Sequence, residues 1–327
     1  MRLGFAGTGW IGVHRLRAVA ETGLAEVAAI CDPNDDAAAL ALQAAPGAER
    51  AYRFEDLFDR DLDGLVIATP NALHAPQAIV ALERGIAVFC QKPLARTAAE
   101  TRKVIEAARG ADRLLGVDLS YRYTEGMCRI RELVRSNALG RVHAVELVFH
   151  NAYGPDKSWF FDAAASGGGC VLDLGIHLID LLDWLLQAPV IGLHSRLYAK
   201  GELLSPNTGR VEDEAVVLLE LDGGATASLR CSWHAHAGRD AVIGVLVRGS
   251  EGGASWHNVD GSFYDFAAER YRGTTRETLA SPPDDWGGRA AIAWLNALAA
   301  GGRYDSAVES LLGVAAVLDR IYGRDVS

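Results

Sequence analysis

The sequence predicts an α/β protein of two domains: a doubly wound parallel sheet over residues 1–120, then an α+β domain with a mostly antiparallel sheet over 121–327. The 327 residues are half apolar and 23% charged, which suits two ordinary cores better than one oversized core. The first part alternates short, continuously apolar runs with stretches long enough for a helix, as parallel strands buried on both faces require. In the second part strands crowd together with short turns between them, which favours antiparallel pairing.

Taken in order, "RLGFA", "EVAAIC", "GLVIA", "IAVFC" and "LLGVDL" are the strands of the first domain, and the alanine-rich "DDAAALALQAA" is a surface helix among them. A helix from about Thr124 to Asn137 opens the second domain. "VHAVELVF", "EAVVLLEL", "ATASLRCSW" and "AVIGVLVRG" follow as strands, with "DGG" and "EGG" as turns. One long helix, "SGGGCVLDLGIHLIDLLDWLL" (166–186), interrupts them. The tail holds "RAAIAWLNALAAG", ended by Gly301 and Gly302, and "SLLGVAAVLDRIYG"; these last helices are free to pack back on the first domain. "NVDGSFYDF" and "PPDDWGGRAA" receive no assignment.

Net charge is −10 with no Lys/Arg run, so no nucleic-acid partner is expected. No apolar run reaches the length of a membrane span, and "MRLGFAGTGWIGVHRLR" lacks the cleavage pattern of a secretory signal. The five cysteines are odd in number and scattered, without metal-ligand spacing. No metal is expected, and the natural location is a reducing cytoplasm.

Gly7, Gly9 and Gly12, with Trp10 and Ile11 between the last two, form "GTGWIG" directly after the first strand. Such glycines permit a tight turn, close approach of a pyrophosphate and close helix–strand packing at a helix N-terminus. Asp32 ends the second strand, twenty positions beyond Gly12, where an acid hydrogen-bonds the adenosine ribose hydroxyls and repels a 2′-phosphate. No Arg follows immediately, so NAD is expected over NADP. The competing readings are a glycine-rich turn without a ligand and an Asp that merely opens the next turn. Lys92 follows the strand that ends near Cys90, on the side where ligands of an open parallel sheet sit. The chain has four lysines among 32 basic residues, so a lysine at this edge is a departure from its own habit.

"GTGWIG", "ATPNALH" (68–74), "QKPLA" (91–95), "YRY" (121–123) and "GGGCVLDLGIH" (167–177) together resemble the Gfo/Idh/MocA family of glucose–fructose and inositol dehydrogenase-like oxidoreductases, over nearly the whole chain. The resemblance implies an N-terminal Rossmann domain that binds NAD and a C-terminal substrate-binding domain on a large open sheet. It also implies hydride exchange with a sugar or polyol alcohol, and a homodimer or homotetramer formed through that sheet. The family's catalytic lysine, aspartate and histidine fall on Lys92, Asp173 and His177. Thr69, Pro70, Asn71, His74 and Gln91 become cofactor-site candidates. Gln91 departs from the family's Glu-Lys-Pro by losing a charge beside Lys92.

At about 100° per residue, Asp173, His177, Asp180 and Trp184 share one stripe of the 166–186 helix, flanked by leucines and isoleucines. Buried carboxylates need partners. The stripe is therefore expected to face a lined cavity or the other domain, with Asp180 orienting His177 and Asp183 a surface or interface acid; the competing reading is a core histidine satisfied by Asp180, with Asp173 capping a helix start near the glycines. An imidazole, with an ordinary pKa of about 6.5, suits proton removal from an alcohol near neutrality. Lys92 would stabilise the developing alkoxide and Asp173 would hold a neighbouring hydroxyl. Arg122, Tyr153 and Trp159 are the substrate candidates; the aromatics compete with a plain core role. Two further readings of the same fold are a catalytically silent dinucleotide sensor and a lyase or glycosidase that recycles NAD.

Overall fold

A computed structural model describes residues 1–205 and 209–324. The chain divides into two compact units, one made of Met1–Ser120 and Gly287–Glu309, the other of Tyr121–Trp286 and Ser310 onward.

Unit 1 begins β1 (Arg2–Ala6), α1 (Trp10–Glu21), β2 (Glu26–Cys31), α2 (Asp35–Ala44) and β3 (Glu49–Ala51). It continues β4 (Gly64–Ile67), α3 (Asn71–Glu83), β5 (Ala87–Cys90), α4 (Ala98–Ala111) and β6 (Leu115–Val117). The six strands are parallel, in the order β3-β2-β1-β4-β5-β6. Every residue of β4 and β5 is buried, as continuous apolar runs demand when helices cover both faces. The order reverses between β1 and β4, so the carboxyl ends of these two strands open the ligand crevice of the sheet. β3 was not expected, because "ERA" is too short and too polar to show a pattern.

Unit 2 runs α5 (Glu125–Arg135), β7 (Val142–Asn151), α6 (Ala163–Ser166) and α7 (Ile176–Leu186). Then come β8 (Val190–Ala199), β9 (Glu202–Leu203), β10 (Glu214–Leu221), β11 (Thr226–Ser232), β12 (Ala241–Gly249), β13 (Gly253–Asn258), β14 (Phe266–Arg272) and β15 (Thr275–Ala280). These strands form a nine-stranded sheet, β15-β14-β13-β12-β7-β11-β10-β8-β9, antiparallel except for the β7–β11 pair. In β10, Ala215, Val217, Leu219 and Leu221 are buried, while Glu214, Val216, Leu218 and Glu220 are exposed. That alternation is the signature of a sheet covered on one face. α8 (Arg289–Ala299) belongs to unit 1, where Trp294 lies so close to Gly64 and Gly116 that any side chain there would strike the indole. α9 (Ser310–Ile321) belongs to unit 2.

Five strands of unit 2, namely β8, β9 and β13 to β15, went unforeseen. β15, at one edge, is polar and exposed from Thr275 to Thr278, and only Leu279 and Ala280 pack on the core. The two unassigned segments prove structural. "NVDGSFYDF" joins β13 to β14 around the Asn258 amide, which accepts from Ile243 N–H (2.9 Å) and donates to the Ala241 and Ser262 carbonyls. In "PPDDWGGRAA", Trp286 Nε1–H donates to the Tyr264 carbonyl at 2.8 Å.

The long helix expected over 166–186 is also corrected. α6 stops at Gly167, whose φ of +85° only glycine adopts cheaply. A π-helical turn, Val171–Gly175, then leads into α7.

Candidate active site

In unit 1 the chain leaves β1 at Gly7, with φ +83°. A Cβ on Gly7 would collide with the Ala68 carbonyl, and one on Gly12 with the Gly7 carbonyl. The first glycine thus permits the turn and the third permits α1 to pack against the strand, as the spacing implies. Gly9 is the N-cap of α1; it offers no side-chain acceptor, and the first turn contains no acid. Trp10 is 65% exposed beside it.

Asp32, buried at the end of β2, draws this turn to itself. One oxygen accepts from Thr8 N–H (2.6 Å) and the Thr8 hydroxyl (3.2 Å), the other from Asn34 N–H (2.8 Å). A helix start without its own anion, next to a fixed acid, is a fitting cradle for a pyrophosphate and its ribose. The structure also brings Arg50 of β3 to the adjacent turn, where it pairs with Asp35 and lies 4.8 Å from the centre of the Tyr52 ring. Arg50 was missed because nothing in a three-residue strand announces it.

The segment after β4 is stapled to the turn after β5. His74 of α3, 1% exposed, has Nδ1 2.7 Å from the Pro93 carbonyl and Nε2 2.7 Å from the Thr69 carbonyl, and the neutral ring donates from whichever nitrogen carries the proton. Burial pushes its pKa below the ordinary value; Lys92 nearby acts in the same direction, while the two carbonyls oppose it. Thr69 donates its hydroxyl to Gln77, Pro70 is the N-cap of α3, and Asn71 is buried behind it. His74 therefore holds Thr69 and the Lys92–Pro93 turn in one arrangement.

Gln91 has a specific partner. Its amide donates to the buried carboxylate of Asp118, which also accepts from Arg15 Nε (2.5 Å) and the Ser120 hydroxyl. Arg15 Nη2 bonds the same hydroxyl at 3.0 Å. An ionised Glu at position 91 would face Asp118 as a like charge; the amide makes the bond instead. Asp118, Arg15 and Ser120 were not anticipated, although "GVDLS" places an acid just past a strand's carboxyl end.

In unit 2, Asp173 lies in the π-helical turn and His177 in the first turn of α7. Trp233 Nε1–H donates to one Asp173 oxygen at 3.1 Å. Trp159 stacks on Phe160 at 3.8 Å, and Phe160 meets Trp233 edge-on, so the aromatic run at 159–161 leads to Asp173. The His177 ring stands edge-on to Tyr121 at 4.9 Å. Tyr121 is the hub of Phe149, Trp256, Phe266 and Trp286, and burial, then Asp173, pushes its hydroxyl pKa well up.

The members of the expected stripe differ in burial. Asp173, His177, Asp183 and Trp184 are half-buried, whereas Asp180 is fully buried. The partner of Asp180 is Arg122, which grips both carboxylate oxygens through Nε (2.8 Å) and Nη2. The orienting role expected of Asp180 toward His177 thus gives way to a buried ion pair, in which burial raises the acid's pKa and the guanidinium pulls it back. Arg122, a substrate candidate from sequence, spends its fork on this pair. Asp183 is half-buried, and burial raises its pKa, with Arg122 pulling the other way. Tyr153 is 60% exposed and donates its hydroxyl to Asp240.

The fold and the glycine turn beside Asp32 are those of a dinucleotide-binding domain. Residues 1–119 match the model of an oxidoreductase family with an NAD-binding Rossmann fold, and residues 127–255 match the GFO/IDH/MocA C-terminal domain. The chain belongs to the GFO/IDH/MocA oxidoreductase family. It is 31% identical over 264 residues to an inositol 2-dehydrogenase of Acidiphilium cryptum, covering 78% of this chain and 73% of that one. Its fold matches a levoglucosan dehydrogenase in complex with NADH and L-sorbose, with TM-score 0.82, 23% identity and coverage of 98% and 95%. It also matches a 3-ketoreductase from Actinomadura kijaniata in complex with NADP and TDP-benzene, with TM-score 0.84, 22% identity and coverage of 100% and 98%.

Proposed function

We propose that this protein is an NAD-dependent dehydrogenase of a sugar or polyol alcohol, in which Lys92, Asp173 and His177 are the catalytic residues. The observation that carries this reading is the Asp173–His177 face: a carboxylate and an imidazole one turn apart, both partly accessible on a helix whose aliphatic neighbours are buried. Relatives named for inositol, levoglucosan and D-glucoside support a substrate rich in hydroxyls.

Gly7, Gly9, Trp10, Ile11 and Gly12 hold the pyrophosphate side of NAD, Asp32 the ribose, and Thr69, Pro70, Asn71, His74 and Gln91 the side toward the nicotinamide. NAD, when bound, accepts the hydride that leaves the carbinol carbon. His177 takes the hydroxyl proton at an imidazole nitrogen. Lys92 places an ammonium against the oxygen as negative charge develops there. Asp173, fixed by Trp233, accepts from a neighbouring hydroxyl and so selects which carbon reacts. Trp159 offers an aromatic face to the sugar ring, with Tyr153 and Arg122 as outer candidates. Gln91, the departure from the family's Glu-Lys-Pro, is accounted for by its bond to Asp118.

Among the described residues no helix is long and apolar enough to cross a membrane. Five scattered cysteines suit a reducing cytoplasm. The exposed Ile191, Val216 and Leu218 on β8 and β10 support assembly of copies through the sheet, which light scattering would test. The function is tested with a panel of myo-inositol, levoglucosan, methyl glucosides and free aldoses against NAD and NADP, read at the reduced-nicotinamide absorbance. Accumulation of NADH with a panel member is expected. Tight NADH binding without turnover would overturn the reading in favour of a sensor, and product formation without net NADH in favour of a cofactor-recycling lyase.

A further inference from the structure

We propose that Glu212 and Tyr322 form a buried clamp that positions Asp173 and His177, which makes both of them positioning residues for the reaction; this rests on the roles given to Asp173 and His177 above. A helix start leaves four N–H groups without partners in its own ladder. Here the first rung of the ladder is Asp173 N–H to the Gly169 carbonyl, at 3.0 Å. The four preceding N–H groups, those of residues 169 to 172, are all satisfied from outside. The Glu212 carboxylate, 2% exposed, accepts from Gly169 N–H (3.0 Å to each oxygen) and Val171 N–H (2.9 Å). The Glu212 carbonyl accepts from Cys170 N–H at 3.1 Å. The Tyr322 hydroxyl accepts from Leu172 N–H at 3.2 Å and donates to Glu212 Oε1 at 2.8 Å.

The glycine run is the imprint of this clamp. A Cβ on Gly168 would collide with the Tyr322 hydroxyl, and one on Gly169 with the Glu212 carbonyl. Tyr322 is held in turn by Arg324, whose guanidinium lies 4.3 Å from the centre of its ring and donates to the Gly167 carbonyl. A segment more than forty residues downstream and the end of α9 therefore fix where the helix begins. Asp173 sits at its first rung and His177 one turn on, so a shift of the clamp moves both. A displacement of about 1 Å in such groups can cost about 10²-fold in rate.

Glu212→Gln keeps the shape but turns an NH₂ toward groups that donate. Tyr322→Phe is the milder change, removing one hydroxyl and leaving Leu172 N–H without its acceptor; it decides the matter if Glu212→Gln does not fold. Amide hydrogen exchange of residues 168–178 is expected to quicken about tenfold in Tyr322→Phe, the loss of about one buried hydrogen bond, and more in Glu212→Gln. With the panel's fastest alcohol, kcat per NADH-binding site is expected to fall about 10- to 100-fold while the KM for NAD stays within about twofold. A purely structural role would reduce the number of NADH-binding sites and leave kcat per site intact. Unchanged exchange, or unchanged kcat per site despite faster exchange, overturns the proposal. His177→Ala is measured alongside. If it keeps full rate, or if no alcohol turns over, the reading of the site fails, and the exchange data alone judge the clamp.

Discussion

α1 and the π turn before α7 both start from glycine-rich turns, and the two starts differ in what fills them. At α1, Gly7 and Gly12 press against neighbouring backbone, and the N-cap Gly9 brings no acceptor and no acid in the first turn. At the π turn before α7, Gly168 and Gly169 make room for Tyr322 and Glu212, which fill the helix start with an internal carboxylate. At α1 the nearby acid, Asp32, takes Thr8 N–H ahead of the helix and the first turn holds no acid, whereas at the π turn Glu212 takes N–H groups of the helix start itself. Glycine content alone does not distinguish a ligand cradle from a structural socket. What distinguishes them is whether an acid of the same chain reaches the exposed N–H groups.

The sharpest way to break this contrast is to give α1 its own anion. Gly9→Asp should weaken NADH binding about 100-fold or more in a fluorescence titration, because like charges in contact cost several kcal/mol. Stability without cofactor should change by no more than about 0.5 kcal/mol, since Gly and Asp are both acceptable caps. Undiminished NADH affinity would mean that this helix start does not hold the pyrophosphate. Next in size, Gly169→Ala drives a methyl into the Glu212 carbonyl and should destabilise the fold by about 3 kcal/mol in a urea melt. A neutral result would remove the socket description.

Unit 1 has an internal carboxylate of its own in Asp118. Gln91→Glu should cost about 2 kcal/mol by setting a second acid against it, and Asp118→Asn in the same chain should recover most of that loss. Failure of this rescue in a double-mutant melt would separate Gln91 from Asp118. The smallest effect concerns pH. The folded His74 pKa lies below its ordinary 6.5, so the unfolded chain binds the proton first as pH falls. Stability contributed by the neutral ring is complete above about pH 6.5 and declines below it, by at most about 1.4 kcal/mol per pH unit until the folded group titrates. Replacing His74 by Gln should flatten that segment of the pH–stability curve; an unchanged slope would assign it elsewhere.

Much of unit 1 was legible because its strands are buried on both faces and its glycines stand at fixed distances from Asp32. Continuous apolar runs and short-range spacing are local signals. Unit 2 was legible where strands alternate strictly, as in β10, and not where they are polar or short, as in β9 and β15. The helix at 166–186 read as a single amphipathic stripe because a constant turn per residue was applied across a π turn. Asp180 looked like a partner for His177 because the two lie three residues apart on α7, whereas Arg122, 58 residues earlier, takes its charge. Glu212 and Tyr322 left no trace in the pattern, because each acts on a segment far from it in the chain. A buried acid announces that it needs a partner; sequence alone does not say which one.

The central claim is that Lys92 and His177 act on the same alcohol in the same step. A double-mutant cycle of Lys92→Ala and His177→Ala, scored by kcat/KM for NAD-dependent oxidation, tests this most directly. Groups that act as a unit are strongly non-additive. Each single variant should lose about 10²- to 10⁴-fold, and the double variant little more than the worse single. Losses that multiply in the double variant, or a single variant at full rate, would contradict the account.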